Sequence, residues 1–260
     1  MAAHHIRANS LPSRQNPLIP EFEEQLCRLR SSEAASSSTL GCKLSGLEDL
    51  HDCVEKLLLL PLNQQALSRE QSKKCIDELL DRSLRLLDVC NIAKDALLQT
   101  KACTQELKSI MRRRVGLAGE VKKFLASRKM VKKVHKAIRN RKGVENKCPL
   151  HKDDESATIV STLRDFETIT LAVFESLLSF ISGSKSQKPS GWSMVSKMLK
   201  SNKAALLSLI SPKVKKSDEV NAQILLQKLE TCVQVLEEGI DHLFRNLIKT
   251  RVSLLKVLNN

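Results

Sequence analysis

Between Lys108 and Lys142 the chain carries fourteen basic residues against a single acid, Glu120. A cationic element of that density can gather an anionic surface by charge. It holds +13 of the formal +14, so the remaining residues are close to neutral. Leu117, Val121, Phe124, Val131, Val134 and Ile138 recur within it at helical spacing, which predicts one face docked on a core and the other in water. The residues expected to meet a partner are Arg112, Arg113, Arg114, Lys122, Lys123, Lys129, Lys132, Lys133 and Lys136. Four uses compete: a solvated or internally paired face, an acidic protein surface, an anionic membrane, and nucleic acid or a nuclear-import signal. Each Lys or Arg close to an anionic bilayer adds about 1 kcal/mol. Nucleic acid is the weakest reading, because single-strand platforms stack bases on aromatics and only Phe124 lies in the segment.

A second short pattern is Arg7-Ala-Asn-Ser10-Leu-Pro12. Arg three residues before a serine suits a basophilic kinase. A phosphate on Ser10 followed by this proline resembles a 14-3-3 ligand, read by an arginine cluster.

Signatures of catalysis are missing: no GxSxG, GxxxxGK[ST], HExxH or GxGxxG occurs, and six histidines are dispersed. Eight cysteines form no CxxC, and the one local metal candidate, Cys148-Pro-Leu-His151, lacks a second pair of ligands. The expectation is a protein that is not an enzyme, takes no cofactor or metal, and keeps its thiols reduced in the cytoplasm, peripheral at membranes if the basic helix meets lipid. Nucleus and plastid stay open. The first twenty residues contain Arg7 and Arg14 and no acid, but Pro12, Pro17 and Pro20 interrupt any transit-peptide helix. The longest apolar stretch, 169–181, is too short to span a bilayer and carries Glu175.

The elements that position these residues are helices. Aromatics are 3%, Tyr is absent, and eight glycines and seven prolines are too few for a turn-rich β fold. Apolar periodicity predicts helices at about 44–60, 68–114, 118–142, 156–182, 192–210 and 217–258, with a short one at 21–30. Ser68-Arg-Glu-Gln71 has the capping-box pattern and Pro61 closes the first helix. Gly116 and Gly119 mark a break. The fold class expected is all-α: an elongated bundle built on two long helices, about 68–114 and 217–258. Residues 1–42 are expected as a disordered arm and Ser-rich linker, and 43–260 as the helical domain. A remnant of the 217–258 apolar stripe, if the 68–114 helix leaves it uncovered, would support a homo-oligomer.

Five stretches, in order along the chain, resemble the plant BYPASS-related family. They are His5-Ile-Arg-Ala-Asn-Ser-Leu-Pro-Ser-Arg14, Gly46-Leu-Glu-Asp-Leu50 leading to Leu60-Pro-Leu, and Ser83-Leu-Arg-Leu-Leu-Asp-Val-Cys90, then Phe124-Leu-Ala-Ser-Arg-Lys-Met-Val-Lys-Lys133 and the tail from Leu243 to Leu255. In the tail, Lys256 stands where the family tends to have Asn. The resemblance implies an all-α plant protein acting in root and shoot development, with no catalytic residues to carry over and some relatives at membranes. Protein partners therefore come first, with an anionic membrane surface as the alternative.

Overall fold

The computed structural model describes residues 18–31, 40–113, 116–140, 155–182, 207 and 216–259. Among them the fold is all-α, in seven helices: α1 (Leu18–Ser31), α2 (Leu40–Leu59), α3 (Pro61–Leu67), α4 (Glu70–Arg113), α5 (Leu117–Asn140), α6 (Glu155–Ser182) and α7 (Lys216–Asn259). The two 44-residue helices match the expected long pair within two residues at each end. Each spans roughly 66 Å at 1.5 Å per residue.

α4 and α7 run antiparallel and form the spine. Lys94 pairs with Asp241 at 2.7 Å, Lys101 with Glu237 at 2.6 Å, and Lys108 with Glu230. The lysines are seven residues apart, two helical turns, and so share one edge of α4. α2 packs on α7, α6 and α5 pack on α4, and α5 also packs on α6. Leu47, Leu50 and Leu57 of α2, Leu97 and Leu107 of α4, Phe124 of α5 and Phe174 of α6 are fully buried between them. The buried line of α7 runs through Leu226, Leu229, Val233 and Leu236, with Leu225 and Cys232 half-buried beside it. From Ala222 to Val257 the buried positions alternate by four and three without a break, the heptad spacing of a long helix that keeps one seam against its neighbours.

Three local features refine the sequence expectation. Pro61 ends α2 but also starts α3, with Leu60 extended before it, as the ring of a following proline requires. Asn63 Nδ2 and Gln64 Nε2 then reach back to the carbonyls of Leu57 (2.7 Å) and Leu58 (3.1 Å), satisfying the end of α2. Ser68 is the C-cap of α3, and its hydroxyl donates to the Gln65 carbonyl at 3.1 Å; the side chain of Gln71, its expected capping-box partner, lies outside the described residues. The short helix expected at 21–30 is present as α1, and it is packed on the bundle. In α1, Phe22, Leu26 and Leu29 are buried against the bundle, and Arg30 meets Asp165 of α6 at 3.2 Å. Gly46 allows the close approach, since a Cβ there would stand 2.8 Å from Leu29. The expected helix 192–210 lies outside the described residues apart from Leu207.

Cysteines 27, 53, 90, 103 and 232 carry no disulfide, as expected, whereas Cys75 is disulfide-bonded. A disulfide joins residues that only the fold brings together, so spacing could not show it.

Candidate functional site

α5 carries the charged segment, and two elements hold it in place. Val121, Phe124 and Val131 are buried against α4 and α6, with Leu117, Leu125 and Ile138 half-buried beside them. The chain enters α5 through Gly116 at φ +78°, a conformation that favours glycine, and the Gly119 amide donates to the Gly116 carbonyl at 3.1 Å. Gly116 is thus the break between α4 and α5, while Gly119 lies inside α5.

Lys122, Lys123, Lys129, Lys132, Lys133 and Lys136 all lie exposed, as do Arg112 and Arg113 at the end of α4. Lys122, Lys129 and Lys136 are spaced by seven, so with Lys133 they line the side facing away from the core. Met130 stands among them, 59% exposed. Lys123 pairs with Glu120, and that hydrogen bond, helped by the charges of Glu120 and Glu106, raises its pKa. Lys122, Lys129, Lys132, Lys133 and Lys136 make no ion pair with any described residue. Lys108, counted with the segment by sequence, is instead consumed inside the bundle by Glu230 and by Gln227 at 2.6 Å. Arg114 and Ser10 lie outside the described residues.

One basic residue of the segment points inward. Arg128 is buried, 8% exposed; its Nε donates to the Ile181 carbonyl at 3.2 Å and its guanidinium lies 5.8 Å from the Phe124 ring centroid. Ile181 is in the last turn of α6, where a cation meets the negative end of the helix dipole. Loss of hydration there lowers the Arg128 pKa. Position 128 falls on the same face as Val121, Phe124 and Val131, a signal that helical spacing does contain.

A second charged cluster was invisible in sequence. Glu78 of α4 binds Arg82 and, across the interface, Arg164 of α6, each at 2.7 Å. Arg82 Nη1 stands 3.5 Å from Glu167 Oε2, which accepts no hydrogen bond. Burial therefore outweighs Arg82 and pushes the Glu167 carboxyl up to about 8. The adjoining cavity, beside Ser83, Phe166 and Thr250, holds about 10 Å³. That is room for roughly one water and no organic substrate. His51 lies 4.5 Å from the Phe166 ring, 2% exposed, with neither ring nitrogen hydrogen-bonded. Among the described residues no three His, Cys, Asp or Glu side chains could hold a metal ion. No described helix is long and apolar enough to cross a membrane.

A family model described as Protein BPS1 matches residues 43–257. No curated protein and no solved structure matches the chain.

Proposed function

Since the chain belongs to the BPS1 family and so points to a role in plant development, we propose that it is a non-catalytic regulatory protein of root and shoot growth. Its bundle holds the lysine face of α5 outward toward an acidic protein surface. The observation behind this reading is the contrast in pairing. Lys94, Lys101 and Lys108 are matched by acids across the α4–α7 seam, while five lysines of α5 have no partner among the described residues. Like charges kept together without an internal counter-ion raise the free energy of the folded chain, and an anionic partner relieves it.

An acidic protein suits the geometry better than insertion into lipid. A helix that lies in the membrane interface buries its apolar face there, and in α5 Val121, Phe124 and Val131 are already spent on the bundle. The test is proximity labelling in root tissue with the intact chain and with a Lys122→Glu, Lys123→Glu, Lys132→Glu, Lys133→Glu variant. The reading expects the variant to lose a defined set of neighbours while keeping its unfolding midpoint; an unchanged set overturns it. Vesicles with phosphatidylserine supply the other arm, and salt-sensitive sedimentation lost in the same variant would transfer the face to the membrane. Ser10, once phosphorylated, offers a separate 14-3-3 contact, and unaltered 14-3-3 pull-down with Ser10→Ala removes it.

A further inference from the structure

The spine carries another outward surface that shares no residue with the lysine face of α5. Near its amino end α4 presents Asp77, Asp81, Leu84 and Asp88 at i, i+4, i+7 and i+11, all exposed. That spacing keeps them on one ridge. Near its carboxyl end α7 presents Arg245, Ile248, Lys249, Val252, Leu255 and Lys256, also exposed. Leu84 is 49% exposed, Ile248 41% and Val252 43%.

Hydrogen bonds give the register of the two ridges. Arg251 donates to the Leu80 carbonyl and, at 2.8 Å, to the Ser83 hydroxyl, and Cys90 Sγ lies 3.9 Å from the Ile240 carbonyl. Extended along the antiparallel pair, this sets Asp77 level with Lys256, Asp81 with Lys249 and Asp88 with Arg245. Yet these acids and bases form no ion pair with any described residue. By helical spacing Asp77 shares the line of Leu84, and Arg245 that of Val252. Asp81 and Asp88 on one helix, and Lys249 and Lys256 on the other, lie farther from the seam that Arg251 closes. Farther along the same seam, Lys94 and Asp241 are close enough to pair.

We infer that this face is an isologous dimer interface whose occupant is a second copy of the chain. A two-fold axis lying along the α4–α7 groove places α4 of one copy on α7 of the other, still antiparallel. The acidic edge then covers the basic edge twice, level residue against level residue, and Leu84 meets the Ile248–Val252–Leu255 strip. One rotation thus satisfies the six charges and the exposed apolar strip together. The complement comes from the chain itself, and no foreign surface is needed to supply it.

The experiment is sedimentation velocity on the full chain over a concentration series at low and high salt, with circular dichroism as the check on folding. Wild type is expected to dimerise, more weakly as salt rises. An Asp81→Lys, Asp88→Lys variant and an Arg245→Glu, Lys249→Glu variant each set like charges against like. Each should weaken self-association at least about tenfold while staying folded. Mixed one to one, they should recover a heterodimer, because the two reversed positions of each variant then meet opposite charges on the other. A wild type that stays monomeric throughout the series overturns the inference, as does self-association indifferent to both variants. A mixture that fails to associate does so too.

Discussion

Single buried groups set the pH response. His51 has lost its hydration beside Phe166, and with His242 adding repulsion its pKa falls to about 3. The unfolded chain, near 6.5, takes up a proton that the folded chain refuses. The stability His51 contributes is therefore complete above about pH 6.5 and drains away as pH falls toward 3. Glu167 works in the opposite sense, since its folded carboxyl keeps a proton to about pH 8 that the unfolded one releases near 4.5. Its share of stability is present at low pH and is lost as pH rises through 8. Glu167→Gln should be nearly neutral at pH 5 and, by pH 9, more stable than wild type by on the order of a few kcal/mol. Urea midpoints of both proteins from pH 5 to 9 measure this, and a constant difference would sink the assignment. For Arg128, replacement by Ala removes packing against Phe124 and leaves the Ile181 carbonyl without that donor. A loss of about 2–3 kcal/mol is expected by denaturation. Lys129→Ala, one residue away and exposed, should change stability by less than about 0.5 kcal/mol.

At the scale of elements, junctions carry the information that periodicity lacks. Gly116 has open space where a Cβ would go, so Gly116→Ala tests backbone conformation alone. At φ +78° an L side chain should cost about 1–2 kcal/mol in unfolding experiments; a cost near zero would mean that the α4–α5 turn can take another path. The α2–α3 junction depends on Asn63, 2% exposed, whose amide serves the Leu57 carbonyl. Asn63→Ala should lose about 1–2 kcal/mol, read from the same curves. Both sites lie at a residue type that sequence flagged, Gly116 as a break and Pro61 as a stop. What followed Pro61 was missed because α3 is a seven-residue helix, too short to show a full amphipathic period.

For the molecule as a whole, the open question is where the folding unit starts. The family match begins at residue 43, but α1 buries Phe22, Leu26 and Leu29 against the bundle from ahead of it. Each fully buried side chain of this kind contributes roughly 1.5–3 kcal/mol before ordering costs are subtracted. A chain starting at residue 43 should therefore unfold at a clearly lower urea concentration than one starting at residue 18. Equal midpoints would show α1 to be dispensable.

Helical periodicity over long stretches was enough, from sequence, to place α2, α4, α5, α6 and α7 to within a few residues, since one solvated and one buried face repeat along each. The concentration of charge on α5, with its apolar face turned to the core, was equally legible, because it depends only on spacing along one helix. The tertiary structure alone decided which charges are used internally. Lys108 and Arg128 belong to the same basic segment as Lys122 and Lys133, but their partners, Glu230 and Ile181, lie 122 and 53 residues away. The Glu78–Arg82–Arg164–Glu167 cluster and the level acidic and basic edges of the α4–α7 face are decided in the same way. Each needs the register of two helices distant in sequence, and that register is set by packing all the helices around one core.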